Sequence, residues 1–509
     1  MSSILTNNSA MVALQTLKGI NKNMGQIQNE ISTGKSVGSA KDNAAVWAIS
    51  KVMESDVKGF MGISDSLALG SSTISVARQA AETTTDLLTE IKGKIVAAQE
   101  SNVDREKIQA DITALTNQIK SVTGAAQFNG LNMVQGTDEV SILSSLDRSS
   151  NGNVTASDIK VDRQDLTTAA GTVGTGASLA SKAVIQNSAT AVASAANTAV
   201  ITYTGTAAND KASLKIGGAD VSFTVLTGAA TVTDMAAGLA GAINGLGIEG
   251  VTATNTAGVL TISSTKGFEG LKVDQAISGT GTAAITSVNG AAPAAPNSAT
   301  SSTITQRAEE IKFATGGANE GDGFTVTLQG KAYSYVAGKG ETMEDVARGL
   351  KVAIDSGAVG GVSTQVKQDA TSGAWSLMID NDGSTAASMT LANSGAAGGK
   401  ASGGLFGLDG INVTTTAGAD AALSNIETMI SGSIDAAASF GSGQKRIDIQ
   451  SDFVGKLSDA LKSGIGSLVD ADMEETSARL QALQVQQQLG VQALSIANQS
   501  PQSILSLFR

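Results

Sequence analysis

Two carboxylates in the second half of the chain form the acidic pair best placed to do chemistry. Asp380 and Asp382 lie two residues apart in the segment Asp380-Asn381-Asp382-Gly383. Such a pair could serve a carboxylate-only hydrolase, with one carboxyl acting as acid and the other as base. The segment also resembles part of a calcium-binding loop, but the first EF-hand position would then be Met378, which has no carboxylate. These residue types favour a hairpin turn.

The residue types on which most hydrolytic and metal enzymes depend are missing. The 509 residues include no cysteine and no histidine, which excludes disulfides, thiol nucleophiles, Ser-His-Asp triads and the usual zinc sites. Glycine-rich segments such as 238–250 lack the strand and the lysine of a phosphate-binding loop, so we interpret them as helix and turn. Aromatic residues make up only 3% of the chain, which favours close packing over a ligand pocket. We expect no catalytic residue, no metal and no cofactor.

Charge and hydropathy exclude two classes of partner. The formal net charge of −12 disfavours binding to a nucleic-acid backbone. No stretch is long and apolar enough to cross a membrane, so we expect no membrane insertion. The first residues lack the basic region, apolar core and cleavage motif of a classical signal peptide.

The most unusual polar pattern lies at the end of the chain. Residues 480–508 carry no formal charge. At about 100° per residue, one narrow helix face collects Gln481, Gln484, Gln488, Gln492, Ser495, Gln499 and Gln502. The rest of this helix is almost entirely apolar, and its many glutamines make a membrane span improbable. It is either the central helix of a large bundle or a helix buried between copies of the same protein.

Apolar residues at alternating spacings of three and four predict the helices that position these residues. The first such set is Ala10, Ala13, Leu17, Ile20, Met24, Ile27 and Ile31, and its helix ends at Thr33-Gly34. A second set runs from Val46 to Ala98 and predicts a rod about 80 Å long. A return helix begins near Asp104, and Asn129-Gly130 predicts a hairpin turn. Helical spacing resumes over 423–468, so helices from distant parts of the chain must pair.

The middle of the chain contains a repeat. Between Ser149 and Gly404 the sequence is rich in small and β-branched residues, which favours strands. Thr231 and Asp234 recur as Thr342 and Asp345 at an offset of 111, and each pair resembles a helix-capping box. We predict two tandem strand–helix–strand modules, 149–300 and 301–404, with Pro293 and Pro296 in the linker between them.

The expected fold is therefore α+β, a nested terminal α-helical coiled-coil-like bundle with a β-rich middle insertion of two related modules. Residues 1–33 plus 471–509 form an inner domain of paired terminal helices. Residues 34–148 plus 405–470 form a helical rod domain with a β-hairpin. The modules 149–300 and 301–404 form the outer surface.

Short motifs at both ends of the chain resemble bacterial flagellin. They are ISTGK (31–35), SAKDNAA (39–45), AIS (48–50), MES (53–55), IQADI (108–112), FNGL (128–131) and ANQSPQSILSL (497–507). The resemblance implies a structural subunit that polymerises into the flagellar filament for motility. It also implies secretion without a cleaved signal through the type III export apparatus. The implied partners are further copies of the chain, a cytoplasmic export chaperone, a filament cap and hook-junction proteins.

The resemblance and the helix patterns together suggest where copies would meet. We expect a polymerisation interface at Leu17, Ile20, Met24, Ile27, Ile31, Leu480, Leu483, Leu489, Leu494 and Ile504. The stripe Gln481, Gln484, Gln488, Gln492, Ser495 and Gln499 would line the filament channel, where uncharged amides hold water without attracting a transiting chain. In flagellins detected by the Toll-like receptor, an arginine and a leucine contact that receptor. Glu90 and Lys94 stand at those positions here, so we expect weak or absent recognition.

Two other functions stay open on the sequence. One is a hook–filament junction protein, a class that shares its terminal helices with flagellin. Residues 40–45 and the leucine-rich C-terminus of this chain resemble flagellin more closely than they resemble a junction protein. The other is a surface enzyme carried on a flagellin-like stalk. A few flagellins carry a protease insertion, and the chemistry of that protease needs histidine ligands. The present chain has no histidine.

Overall fold

A computed structural model describes residues 7–149, 153–226 and 231–507. In that part of the chain the helices are α1 Asn8–Thr33, α2 Ala44–Ala98, α3 Arg105–Ala125, α4 Val232–Gly245, α5 Met343–Ser356, α6 Thr416–Val469 and α7 Met473–Leu507. The strands are β1 Gln127–Phe128, β2 Leu131–Asn132, β3 Glu139–Arg148, β4 Val154–Asp162, β5 Ala183–Ile185, β6 Ala191–Val192, β7 Asn197–Thr204, β8 Lys211–Ile216, β9 Ala219–Thr224, β10 Val251–Thr256, β11 Val259–Ser264, β12 Leu271–Ser278, β13 Thr282–Val288, β14 Ser301–Ile304, β15 Glu309–Phe313, β16 Gly323–Leu328, β17 Lys331–Val336, β18 Val362–Gln368, β19 Trp375–Asn381 and β20 Ala387–Ser394. The α+β class predicted from the sequence is confirmed.

The contacts divide the chain into two units. The terminal unit comprises the residues up to Ser72, Val140–Val161 and the residues from Ser442 onward. The central unit comprises Thr73–Glu139 and Asp162–Gly441.

The long helices form where the three-and-four spacing predicts them. Asn7 caps α1 by accepting a hydrogen bond from the Ala10 N–H, and Gly34 ends it in the left-handed region with φ 70°, a conformation open to glycine at little cost. The rod is one helix of 55 residues, and every predicted core position from Ile63 to Ala98 is buried. Asp104 caps α3. The Asn129-Gly130 hairpin is also confirmed, because both residues have positive φ between the paired strands β1 and β2.

In the terminal unit, a two-stranded sheet of β3 and β4 packs beside α2. Gly70 breaks the apolar pattern of α2 because a Cβ there would lie 2.7 Å from the Ile142 Cδ1 atom. Gln450 of α6 donates to the Ser144 carbonyl oxygen at 2.8 Å. The close approach of β3 to α2 therefore explains the missing side chain.

In the central unit, polar contacts join sequence-distant elements. The Thr85 hydroxyl of α2 donates to the Ser433 hydroxyl of α6 at 2.9 Å. Gln109 of α3 bonds the backbone of Ile411 and Val413. The helices of this unit are thus held by residues more than 300 positions apart in sequence.

Two sandwich-like modules make up the sheet-rich part of the central unit. The first module, Asn197–Ile304, has sheets of order β10-β11-β7-β13 and β14-β12-β8-β9 with α4. The second module has sheets of order β18-β19-β15-β5 and β17-β16-β20-β6 with α5. Each module encloses its own apolar core. The predicted capping boxes are confirmed, because Thr231–Asp234 and Thr342–Asp345 make both reciprocal hydrogen bonds.

The strand pairing corrects the module boundaries 149–300 and 301–404. Strands β5 and β6, near residue 190, pair with β15 and β20 of the second module. Strand β14, which begins at Ser301, pairs with β12 of the first. Pro293 and Pro296 therefore lie between β13 and β14 within the first module, not between modules. Sequence similarity locates a repeat but does not reveal which copy a strand pairs with.

Candidate assembly surface

Helices α1 and α7 pack against each other along one seam. On α1 every residue of the predicted three-and-four set is partly or fully buried, and Ile27 is the most buried at 8% exposure. On α7 the partly buried positions include Leu480, Leu483 and Leu494. These eight predicted interface residues, Leu17, Ile20, Met24, Ile27, Ile31, Leu480, Leu483 and Leu494, are thus brought to a contact within one chain. The side chain of Ile504 lies outside the described residues.

A glycine and two amides set the distance between the paired helices. A Cβ at Gly490 would lie 3.2 Å from the Leu17 Cδ1 atom, so a small residue allows the helices to approach. The Asn7 amide donates to the Ala497 carbonyl oxygen, and the Gln487 amide donates to the Asn21 side-chain oxygen, both at 2.8 Å. These two contacts, one at the start of α1 and one near its middle, fix the register of the pair.

The helix pair also carries large apolar side chains that point away from the seam. They include Met11, Val12, Leu14, Val485, Leu489, Val491 and Ile496, each at least 44% exposed. Of these, the sequence predicted only Leu489 as an interface residue. On α1 the missed residues fall between the positions of the three-and-four set. On α7, Val485, Leu489 and Ile496 follow at spacings of four and seven, so they share one face, and that spacing could have identified them.

An apolar groove of about 800 Å³ lies along this surface. Val12, Ala13 and Thr16 line it from α1, and Gly490, Ala493, Ile496 and Ala497 line it from α7. Its walls are mostly apolar, so water gains little from filling it. An apolar side chain from another molecule would be stabilised there.

The glutamine stripe occupies a different face of α7. Gln481, Gln484, Gln488, Gln492, Ser495 and Gln499 are all exposed. By helical periodicity the stripe is turned away from the seam and lies beside the exposed Val485–Leu489–Ile496 face. One helix therefore presents three surfaces: a packed seam, an exposed apolar face and an uncharged polar stripe.

The two residues expected to face a receptor lie on α2 in the central unit. Glu90 is exposed. The Lys94 ammonium lies 2.7 Å from the Asp111 carboxylate of α3, and this hydrogen-bonded ion pair raises the pKa of Lys94. Position 94 therefore carries a charge that is already paired within the chain.

Asp380 is a structural residue. It lies in β19, where its carboxylate accepts two hydrogen bonds from the Arg307 guanidinium, at 2.8 and 2.6 Å. Both side chains are 7% exposed. Both carboxylate oxygens are occupied by the arginine, so Asp380 holds the fold together and is not free to act on a substrate. The predicted hairpin turn is also wrong, since β19 leads into β20 of the other sheet.

The described residues contain neither a cluster of metal ligands nor a membrane-spanning helix. No group of three or more acidic side chains in this part of the chain is arranged to hold a metal ion. No described helix is long and apolar enough to span a membrane.

Comparisons with known proteins identify similar families at both ends of the chain. Residues 4–139 match the model of the bacterial flagellin N-terminal helical region, and residues 423–508 match that of the C-terminal helical region. Flagellin A of Rhizobium meliloti is 32% identical over the full length of both chains. Flagellin B of the same organism is 31% identical, again over both full lengths. Flagellin FljM of Caulobacter vibrioides is 40% identical over 27% of this chain and 51% of its own.

The solved structures that the chain matches are more distant. A flagellar hook associated protein-3 from Legionella pneumophila is 8% identical and has a TM-score of 0.33, covering 82% of this chain and 98% of its own. FlgL of Xanthomonas campestris is 12% identical with a TM-score of 0.29, covering 81% and 98%.

Proposed function

The chain belongs to the bacterial flagellin family, and from that premise we propose how its copies assemble. It is a structural subunit of the extracellular flagellar filament, it polymerises with itself, and it is not an enzyme. Full-length similarity to curated flagellins does not favour the hook–filament junction alternative.

The polymerisation interface is the α1–α7 pair acting as one body. The seam residues Leu17, Ile20, Met24, Ile27, Ile31, Leu480, Leu483 and Leu494 hold the pair together, with Ile504 continuing the apolar pattern. Neighbouring copies then contact the exposed face that includes Leu489. The observation that carries this proposal is the set of seven large apolar side chains left exposed beside a seam that is already filled.

The energy available from that surface is large enough to drive assembly. Burying one valine, leucine, isoleucine or methionine contributes about 1.5–3 kcal/mol. Seven of them would contribute on the order of 10 kcal/mol per subunit before the cost of ordering is subtracted. A head-to-tail contact that does not close into a ring produces a helical polymer.

The glutamine stripe lines the filament channel. Gln481, Gln484, Gln488, Gln492, Ser495 and Gln499 bind water without fixed charge, so a transiting chain of either sign finds no ion-pairing partner. Their exposure beside the apolar face supports this role, because the apolar face can be buried while the stripe remains hydrated.

The exposed apolar residues of α1 and α7 also suggest how the export chaperone, the filament cap and the hook-junction proteins bind. We infer that the chain is secreted through the flagellar type III export apparatus and that a cytoplasmic chaperone covers its exposed apolar residues before export. The filament cap and the hook-junction proteins would meet the terminal helices at the two ends of the filament. Residues 1–33 with 471–509 then form the inner domain, and 34–148 with 405–470 form the rod domain.

Weak detection by the animal Toll-like receptor is a further proposal. An acidic residue in place of a contacting arginine can cost several kcal/mol in a complementary interface. Glu90 supplies that reversal, and Lys94 is engaged by Asp111. Receptor-reporter cells treated with purified monomer should respond far less than to an enterobacterial flagellin. An equal response would contradict the assignment of these two positions.

The assembly proposal is tested by charging the exposed apolar face. The double variant Leu489→Asp, Ile496→Asp places two carboxylates where neighbours would bury them, so purified protein added to filament seeds should not elongate them. The matched control Gln492→Asp lies on the same helix but in the hydrated stripe and should elongate seeds, as seen by electron microscopy. Normal elongation by the double variant would show that copies meet elsewhere.

A further inference from the structure

The two modules share one topology but draw two strands from different places in the chain. The sheet β10-β11-β7-β13 of the first module matches β18-β19-β15-β5 of the second, position by position. The sheet β14-β12-β8-β9 likewise matches β6-β20-β16-β17. Strands β13 and β14 therefore correspond to β5 and β6. In the first module these two strands come last in the sequence, whereas in the second they come first, ahead of the entire first module.

The sequence repeat extends to these strands. Ala183-Val184-Ile185 of β5 corresponds to Ala283-Ala284-Ile285 of β13. The tetrapeptide Asn-Ser-Ala-Thr directly precedes β6 at 187–190 and recurs directly before β14 at 297–300. The chain therefore contains two tandem copies of one repeat, and each copy begins with this strand pair.

The backbone register places the two strand pairs in equivalent positions. Ile285 of β13 pairs with Ile201 of β7, and it is 2% exposed in the core of the first module. Ile185 of β5 pairs with Ile311 of β15 and packs against the core of the second module. Each module is thus completed by the strand pair that begins the other copy of the repeat.

We infer that the two tandem copies have exchanged their leading strand pairs within one chain. The pair β5–β6, which begins the first copy, completes the second module, and β13–β14, which begins the second copy, completes the first. The exchange makes the first module a contiguous insertion, Asn197–Ile304, between β6 and β15. It also makes 183–192 an essential part of the second module, although more than 100 residues separate them from β15.

The junction of the modules is consistent with such an insertion. The Asn197 amide, where the chain enters the first module, donates to the carbonyl oxygens of Thr305 and Gln306, both at 3.0 Å, where the chain leaves. Adjacent entry and exit points are typical of an inserted domain. The backbone N–H groups of Arg307 and Ala308 bond the carbonyl oxygens of Lys266 and Gly267, and Arg307 reaches the buried Asp380. The exit segment therefore connects both modules.

Cysteine crosslinking of the full-length monomer distinguishes exchanged from unexchanged pairing. The chain has no cysteine of its own. Val184 lies opposite Lys312, and Ala284 lies opposite Thr202, so side chains in each pair are about 5 Å apart at Cβ. The double variants Val184→Cys, Lys312→Cys and Thr202→Cys, Ala284→Cys should each form an intrachain link with a short thiol crosslinker.

The matched controls combine the same four positions in the unexchanged way. Val184→Cys with Thr202→Cys, and Ala284→Cys with Lys312→Cys, should give no intrachain link. Crosslinking in this second set, links between chains at low protein concentration, or no link in any variant would each overturn the inference. Gel mobility and peptide mapping of the linked cysteines report the outcome.

A stability measurement provides an independent test. Trp375 lies in β19 of the second module, so in a Trp47→Phe background its fluorescence reports unfolding of that module. Ile185→Asp should lower the urea midpoint seen by Trp375, because β5 pairs with β15 beside β19. Ile285→Asp should leave that midpoint unchanged, since β13 belongs to the first module. The opposite pattern, or equal shifts in both variants, would overturn the exchange.

Discussion

At the scale of single residues, this protein uses its carboxylates to hold loops and modules. Asp380 pairs with Arg307 in a buried contact. Asp210 accepts hydrogen bonds from the backbone N–H groups of Ala207, Thr280 and Gly281 at 2.9–3.0 Å. Gly281 follows β12, so this carboxylate joins the segment before β8 to the loop between β12 and β13. Both of these aspartates are engaged in contacts that stabilise the fold.

Asp210 should make the stability of the first module depend on pH. The N–H group of Ala207 and then that of Thr280 lower the pKa of this carboxyl below its ordinary value. A depressed pKa contributes stability that is present above the unfolded-state pKa, near 4, and is lost as pH falls through the folded-state pKa. Asp210→Asn should raise hydrogen exchange in 197–304 at neutral pH and remove that acid-dependent loss.

The control for Asp210 is another aspartate of the same module. Asp220 is exposed in the β8–β9 hairpin, so Asp220→Asn should leave hydrogen exchange in 197–304 unchanged. Equal effects of the two substitutions would show that removing one negative charge, and not the loss of the hydrogen bonds, is responsible.

Charges on two faces of α7 should have different effects on assembly. Leu483→Asp and Leu494→Asp place a carboxylate in the seam with α1, where an unpaired charge costs several kcal/mol. Gln488→Asp and Gln492→Asp place the same charge on the exposed stripe. We expect the leucine variants to fail in seeded assembly and the glutamine variants to assemble, with slower filament growth in cells. If both sets fail equally, the stripe is not hydrated in the filament.

At the scale of elements, α1 and α7 depend on each other more than on the rest of the chain. Each is long, but the residues that bury it are mainly those of its partner. In proteins most of the stability of a helix comes from the packing of its apolar face. The polar cap at Asn7 and its bond to Ala497 add to the pairing. Helices α2, α3 and α6, by contrast, contain fully buried positions such as Ile91, Ile119 and Ile426.

Truncation before Leu480 should separate these two groups of helices. The shortened chain lacks most of α7, so α1 should lose its partner and become disordered, and polymerisation should stop. Helices α2, α3 and α6 should stay folded, because their buried faces do not need the deleted residues. Hydrogen exchange should therefore rise sharply over 8–33 and stay low over 74–98. Continued protection of α1, or elongation of seeds, would contradict this dependence.

At the scale of the whole molecule, assembly and the sheet-rich modules use separate parts of the chain. The exposed apolar residues of the proposed assembly surface lie on α1 and α7, whereas the modules lie between Ala183 and Ser394. One buried contact joins the second module to α6, where the Lys351 ammonium lies 2.7 Å from both Asp355 and Asn425. Removing the second module would remove Lys351 and expose Asn425 to water. Water can then hydrogen-bond to Asn425 in place of Lys351.

Deletion of the modules, 183–394, with a short linker should therefore leave polymerisation largely intact. Electron microscopy of seeded protein would show thinner filaments, with elongation close to that of the full chain. Deletion of 197–304 alone, joining Ala196 to Thr305, is the milder companion and should also retain the second module. If export is normal and the larger deletion gives no filaments, the modules contribute to subunit contacts.

The sequence alone was sufficient for the parts of this protein that depend on local periodicity. Spacings of three and four predicted the rod and the seam face of α1, because helix geometry fixes which residues share a face. Capping boxes, the Asn129-Gly130 hairpin and the repeat were also predicted, since each depends on neighbours close in the chain. The motifs at both ends were enough to indicate the family.

Tertiary structure alone decided which elements pair. The leading strands of the two repeat copies, 183–185 and 283–285, are nearly identical in sequence, so nothing local directs either one to a particular module. The residue types around Asp380 predicted a turn, and no local pattern could indicate its true partner, Arg307, which is 73 residues away. On α7, apolar residues surround most of the helix, and only contact with α1 separates the partly buried Leu483 and Leu494 from the exposed Leu489. Where two partners offer equal local chemistry, chain connectivity and packing choose between them.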